Sequence, residues 1–143
     1  MIRMNGTPKP NDSWITPQWV LDLIGKDYYD PCPYNPEYAD DGQHVDGLHT
    51  DWVSYSDWCD NRVFVNPPYS NPLEWVEKAI LEHKYGATVI MLLKHDSSTR
   101  WYAKLHEAGA WFLPIQGRLT FTNTNPAVKE MRSSFPSVLV VLS

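Results

Sequence analysis

Val63-Phe64-Val65-Asn66-Pro67-Pro68-Tyr69-Ser70-Asn71-Pro72 is the stretch that decides how this chain is read. A short apolar run stops at a polar, aromatic turn. Ser70-Asn71-Pro72 can then open a helix, with proline in its first turn. Residues 62–66 therefore read as a buried strand that ends in a tight turn at the mouth of a sheet. The Asn66 side-chain oxygen and the Pro67 carbonyl can both accept hydrogen bonds from an NH2 group. Proline rings fix φ and remove backbone donors, so that carbonyl is held in place. Tyr69 offers a ring on which a flipped base can stack. The chemistry that suits this set is methylation of a planar exocyclic amine, which reacts at nitrogen and loses its proton late, without a basic group. The plainer alternative is a proline-rich strand-to-helix turn with a packed tyrosine. The strand before the turn and the helix signal after it favour the functional reading.

Outward from this turn, strands and helices alternate. On the N-terminal side, residues 27–30 form a short strand closing on Asp30-Pro31. Before it, Asp12-Ser13 can cap a helix starting near Thr16-Pro17, in which Trp19, Val20, Leu23 and Ile24 recur at helical spacing until Gly25. On the other side, residues 72–85 predict an amphipathic helix with Leu73, Val76, Ile80 and Leu81 inward, ended by Gly86. Residues 87–93 are a continuous apolar run, as expected of a buried parallel strand. Ser97-Ser98-Thr99 caps a helix running to about residue 108, with Gly109 at its end. Residues 110–114 read as a further strand, and 119–121 and 137–142 as a hairpin-like pair. This order predicts an α/β domain with a mostly parallel sheet. Residues 32–60 show no periodicity, and a structureless loop of that length is uncommon unless it is functional. Short helical turns are expected within it near residues 51–56.

A chain of 143 residues suits one compact domain, and 43% apolar and 13% aromatic content excludes a disordered one. The polar, proline-bearing residues 1–12 read as a loose arm, leaving 13–143 as a single domain. A net charge of −5 excludes a protein that grips nucleic acid by bulk charge. A local basic patch remains open, from Lys94, Arg100, Lys104, Arg118, Lys129 and Arg132, all in the second half. The acids Asp27, Asp30, Glu37, Asp40, Asp41, Asp46, Asp51, Asp57 and Asp60 gather in the first half. A nucleic-acid face built from the later loops would follow; ordinary surface charge is the alternative. Seven tryptophans and eight tyrosines either fill the core or line a site for flat ligands. Cys32 and Cys59 form no CxxC pair, and the histidines show no zinc spacing. No signal peptide or membrane-spanning run is visible, so the chain reads as cytosolic.

Ligands of a parallel α/β sheet bind at the carboxyl ends of its strands. Asp30, Asn66, Lys94 and Pro114 all stand at predicted strand ends, and so are expected to face one crevice. His95-Asp96 reads as a helix-leading turn, because adjacent residues seldom face each other.

Four segments in order carry a resemblance: Trp14-Ile15-Thr16-Pro17, Asp30-Pro31-Cys32, Asn66-Pro67-Pro68-Tyr69-Ser70 and Gly117-Arg118-Leu119-Thr120-Phe121. Together the chain resembles the phage-type, Dam-like DNA N6-adenine methyltransferases, among the class I S-adenosylmethionine-dependent amino-methyltransferases, over residues 14–142. The resemblance implies a minimal Rossmann-like domain with helices on both faces of the sheet and a reversed last strand. It implies S-adenosyl-L-methionine as methyl donor, DNA as partner, no metal, and transfer to N6 of an adenine that has left the duplex. Asn66, Pro67, Pro68 and Tyr69 would be catalytic. Trp14, Thr16, Pro17, Asp30, Pro31, Cys32 and Asn66 would lie on the cofactor side. Thr16 can cap a helix whose amides favour the cofactor carboxylate, and Asp30 suits its ammonium. Asp46 or Asp51 would hold its ribose hydroxyls. Tyr69, Ser70, Lys94, Arg118 and Phe121 would meet the substrate, Arg118 at a phosphate and Phe121 at the base pocket. The glycine-rich first motif usual in class I enzymes is absent, which departs from the wider pattern.

Alternatives remain open at this level. Arg118 also reads as a surface arginine, Phe121 as core and Trp14 as a packed tryptophan. Cytosine N4, a guanine amine in RNA and a protein glutamine amide present similar NH2 groups. The missing glycines also allow a non-catalytic domain that binds DNA or a partner. The small size implies a homodimer or relaxed sequence specificity. A phage origin would suit protection of DNA from restriction in the host cytoplasm.

Overall fold

The computed structural model describes residues 14–32, 47–123 and 129–143, with the backbone alone at Trp14 and Asn123. The expected arm, the Asp12-Ser13 cap and Asp46 lie outside the described residues. In chain order the strands are β1 (Trp14–Ile15), β2 (Arg62–Val65), β3 (Thr88–Lys94), β4 (Trp111–Pro114), β5 (Thr120–Asn123), β6 (Met131–Arg132) and β7 (Ser137–Leu142). The helices are α1 (Gln18–Ile24), α2 (Trp52–Tyr55), α3 (Pro72–Lys84) and α4 (Arg100–Glu107). Two short 3-10 turns, Gly47–His49 and Asp57–Cys59, flank α2.

The main sheet has four strands in the order β2-β3-β7-β4. β2 and β3 pair in parallel, from Arg62 with Thr88 to Val65 with Met91. Tyr29 adds a parallel bridge at Val63: its N–H donates to the Arg62 carbonyl (2.9 Å), and its own carbonyl accepts from the Phe64 N–H (3.0 Å). β7 is the reversed strand. It lies between β3 and β4 and runs antiparallel to both. The protein is therefore a mixed α/β domain whose ladders are mostly antiparallel, although β2, β3 and β4 all point the same way.

The expected hairpin of 119–121 with 137–142 does not form. Both edges of β7 are already paired, with β3 and β4, so β5 finds its partners elsewhere. It joins β1 and β6 in a separate three-stranded sheet, with Ile15 opposite Thr122 and Phe121 opposite Met131.

Alternation at period two sends successive strand residues to opposite faces. Val63, Val65, Val89, Met91, Leu93, Val138, Val140 and Leu142 meet Trp52, Trp75, Val76, Ala79, Trp101 and Leu105 of α2, α3 and α4. Phe64, Leu92 and Leu139 point the other way, onto Val20 and Ile24 of α1 and onto Leu119 and Phe121. Helices thus cover both faces. On α1, Val20 and Ile24 go inward, whereas Trp19 and Leu23 are exposed. On α3 the inward stripe is Trp75, Val76, Ala79 and Glu82, and the expected core residue Leu81 is exposed. The buried Glu82 is satisfied: it accepts from the Val53 N–H at 3.1 Å and from Lys78 Nζ at 2.7 Å. Arg62 ties α1 to β2 by donating to the Ile24 carbonyl (2.6 Å) and the Asp27 carbonyl (2.9 Å). No helix among the described residues is long and apolar enough to cross a membrane.

Candidate active site

The carboxyl ends of β2, β3 and β4 lie along one edge of the main sheet, beside the turn that follows Tyr29. Strand spacing of ~4.8 Å sets what can share a ligand there. Asp30 and Asn66 follow neighbouring chains. Lys94 is one strand further, and Pro114 lies two more away, past β7. A small site therefore groups Asp30, Asn66 and Lys94, and leaves Pro114 at its far rim.

Asp30 leaves the sheet one residue after the Tyr29 bridge. Its Oδ1 accepts the Cys32 N–H at 2.9 Å, closing the Asp30-Pro31-Cys32 turn. Among the described residues no cation pairs with it. Burial pushes its carboxyl up to about 6, and the Cys32 amide only partly opposes that. An acid held this way gains from any cation brought to it. Gly47 packs on the same turn so closely that an added Cβ would stand 1.8 Å from the Pro31 carbonyl oxygen. The Gly47 carbonyl accepts from Trp52 Nε1 (2.8 Å) and Thr50 Oγ1 (3.2 Å), which anchors it to α2. Close backbone approach is the one sequence signal that could have marked Gly47, and it lay hidden in the aperiodic segment.

Asn66 follows β2, and its Nδ2 donates to Thr16 Oγ1 at 2.8 Å. This bond joins two motifs that lie 50 residues apart. It uses the amide nitrogen and leaves Oδ1 as an acceptor. Thr16 does not cap α1 as expected: Pro17 holds that position, without a side-chain cap. A seven-residue helix of this kind offers little to a carboxylate. Pro67 is buried and Pro68 half-buried, so the turn is rigid and packed.

Tyr69 is drawn inward. Its ring meets Phe121 (centroids 6.0 Å apart) and Phe135 (5.1 Å) in T-shaped contacts, and its hydroxyl is buried with no hydrogen-bond partner among the described residues. Burial pushes that hydroxyl well above the ordinary tyrosine range, so it stays protonated. Phe121 is wholly buried and backs Tyr69 from the core. Lys94 lies 5.8 Å over the Phe135 ring and 3.7 Å from Asp96. Phe135, which sequence reasoning missed, thus links the β3 end to Tyr69. Tyr69→Phe is expected to raise stability by about 1 kcal/mol in urea melts, because it removes a buried polar group without a partner. Methylation should persist, since the ring remains.

The remaining candidates are dispersed. Ser70 and Arg118 are exposed. Asp51 caps α2: its carboxylate accepts from the Ser54 N–H (3.2 Å) and Ser54 Oγ (3.0 Å), which holds it below the usual carboxylate range. Lys104 pairs with Glu77 at 3.7 Å, linking α4 to α3. Of Trp14 only the backbone is described, in β1 beside Thr16. Cys59 is a free thiol, and no cluster of metal-ligating side chains occurs among the described residues.

Asn66 and the half-buried Asp30, which has no cation partner among the described residues, thus follow neighbouring segments of the sheet. The chain belongs to the DNA N-6-adenine-methyltransferase (Dam) family, whose model matches residues 5–143. It is 27% identical over 145 residues to a DNA N-6-adenine-methyltransferase of Haemophilus phage HP1 (strain HP1c1), covering 99% of this chain and 84% of that relative. It is also 27% identical over 124 residues to a DNA N-6-adenine-methyltransferase of Escherichia phage T1, covering 82% of this chain and 52% of the relative. The chain thus spans about half the length of the T1 protein. No solved structure matches it. Family membership gives the reaction class, methyl transfer to adenine N6 in DNA, and implies S-adenosylmethionine as donor.

Proposed function

We propose that the crevice between the Asp30 turn and the Asn66-Pro67-Pro68-Tyr69 turn holds donor and acceptor side by side in a minimal class I, Rossmann-like methyltransferase domain over residues 13–143. The observation that carries this reading is the Asn66–Thr16 bond, which ties the first motif to the turn after β2. It occupies Nδ2 and leaves Oδ1 as an acceptor, while Asp30, which follows the neighbouring segment of the sheet, pairs with no cation among the described residues.

The donor chemistry fits these residues. S-adenosylmethionine, when bound, supplies an electrophilic methyl on a sulfonium. Asp30 would take its ammonium, which relieves the cost of an unpaired buried charge. Of the acids suggested for the ribose hydroxyls, Asp51 is engaged by Ser54, which favours Asp46. The rest of the work falls to Asn66 and its neighbours. Asn66 Oδ1 and the Pro67 carbonyl accept the two N–H bonds of the adenine N6 amine. Those bonds strengthen as the nitrogen gains positive charge, so they favour the transition state over the ground state. Holding the amine in line is the other large contribution. The proton leaves late, after the new N–C bond forms. The base reaches the turn only by leaving the duplex. Tyr69 would stack on it, with Phe121 behind, and Lys94 and Arg118 would meet phosphates. A phage enzyme of this kind acts in the host cytoplasm, where the mark would shield DNA from restriction.

The test is nucleoside mass spectrometry of unmethylated DNA incubated with the protein and S-adenosylmethionine. N6-methyladenine supports the reading. N4-methylcytosine would move the acceptor while keeping the site, and an unmodified DNA pool would overturn it.

A further inference from the structure

We infer that Thr16 is a positioning residue for the reaction: its hydroxyl anchors the Asn66 carboxamide with the oxygen left to face the amine, a role that rests on the reading of Asn66 above. An asparagine amide has two orientations of nearly equal shape, related by a half-turn of its terminal torsion. One offers oxygen to an incoming NH2 group. The other offers NH2 to NH2, donor against donor. With Thr16 Oγ1 accepting from Nδ2 at 2.8 Å, the carboxamide is held in the first.

Thr16 is well placed to anchor it. It lies between β1, whose Ile15 is registered against Thr122 of β5, and Pro17, whose ring fixes the next φ. Its β-branched side chain is stiff at χ1, so the hydroxyl has a defined direction. It makes no cap to α1, so that helix does not depend on it. The small sheet β1-β5-β6 thereby acts on chemistry at the end of the main sheet. Phe121 of the same β5 backs Tyr69, so one short strand braces both sides of the acceptor turn.

The test compares Thr16→Val, Thr16→Ser and Asn66→Ala in the full chain, by steady-state methylation of DNA and by melting temperature. Thr16→Val keeps the shape and removes the hydroxyl. It is expected to lower kcat about tenfold, with KM for DNA within about twofold and an almost unchanged melting temperature. Thr16→Ser keeps the hydroxyl and is expected to restore most of kcat. A merely structural role would give the opposite order, with valine harmless and serine, which loses a packed methyl, the worse. Full kcat in Thr16→Val, or a Thr16→Ser variant as slow as Thr16→Val, overturns the inference. If Asn66→Ala keeps its activity, the reading of Asn66 fails as well, and that result is distinct from the first.

Discussion

Asn66→Ala is expected to lower kcat for adenine methylation about 1,000-fold, as does removal of one preorganised transition-state partner elsewhere. The loss should fall on kcat, with DNA and donor affinity within a few-fold of the unmutated protein. The reason is that the amine gains positive charge only as the methyl arrives, so the Asn66 oxygen is worth most at that moment. The fold should survive. Among the described residues the side chain bonds to Thr16, and loss of that bond costs about 1 kcal/mol. Single-turnover kinetics with a thermal melt would show both parts. An Asn66→Ala variant with nearly full kcat would remove this side chain from the chemistry.

Asp30→Asn is expected to weaken S-adenosylmethionine binding about 10- to 100-fold while making the ligand-free protein more stable. Asparagine keeps an oxygen for the Cys32 N–H and removes the charge. The carboxyl stands at about 6 in the fold against an ordinary 3.8. The folded form therefore holds the proton more tightly than the unfolded chain, and ionisation works against folding. The penalty is absent below about pH 4, grows as pH rises towards about 6, and is complete above it. About two pH units correspond to roughly 2–3 kcal/mol at most. The stability difference between Asp30→Asn and the unmutated protein should open across that window and then hold level. Donor affinity should rise with pH across it in the unmutated protein and stay flat in Asp30→Asn. Titration calorimetry and denaturant melts from pH 4 to 8 would show this, and a stability difference independent of pH would contradict it.

The parts legible in the sequence were those written locally. The run Val63–Val65, the turn at Asn66, the proline opening α3 and the glycines after α3 and α4 mark boundaries through backbone geometry alone. The shared strand-end edge followed from them, and with it the grouping of Asp30 and Asn66. Partners were harder. β1 has two residues, too few for any period, so the sequence shows no mate for β5 other than the long apolar run of β7. The slot of β7 between β3 and β4 is a tertiary choice with no local signature. Asp51 shows a different ambiguity: an aspartate followed three residues on by a serine reads equally well as a ligand or as a helix cap, and here it caps. Thr16 was picked out for the cofactor side, yet its bond runs to Asn66, because one hydroxyl can serve either neighbour and only the folded chain shows which.

β3 and β4 are not paired with each other; in the main sheet β7 lies between them and pairs with both. During synthesis β4 leaves the ribosome more than twenty residues ahead of β7, so until β7 arrives β4 has no mate and the inner edge of β3 is bare. Such unpaired edges favour association between chains. Assembly of the sheet is thus a late, non-local step that closes both seams at once, and the yield of this enzyme should depend on how quickly that closure outruns self-association at the temperature of expression.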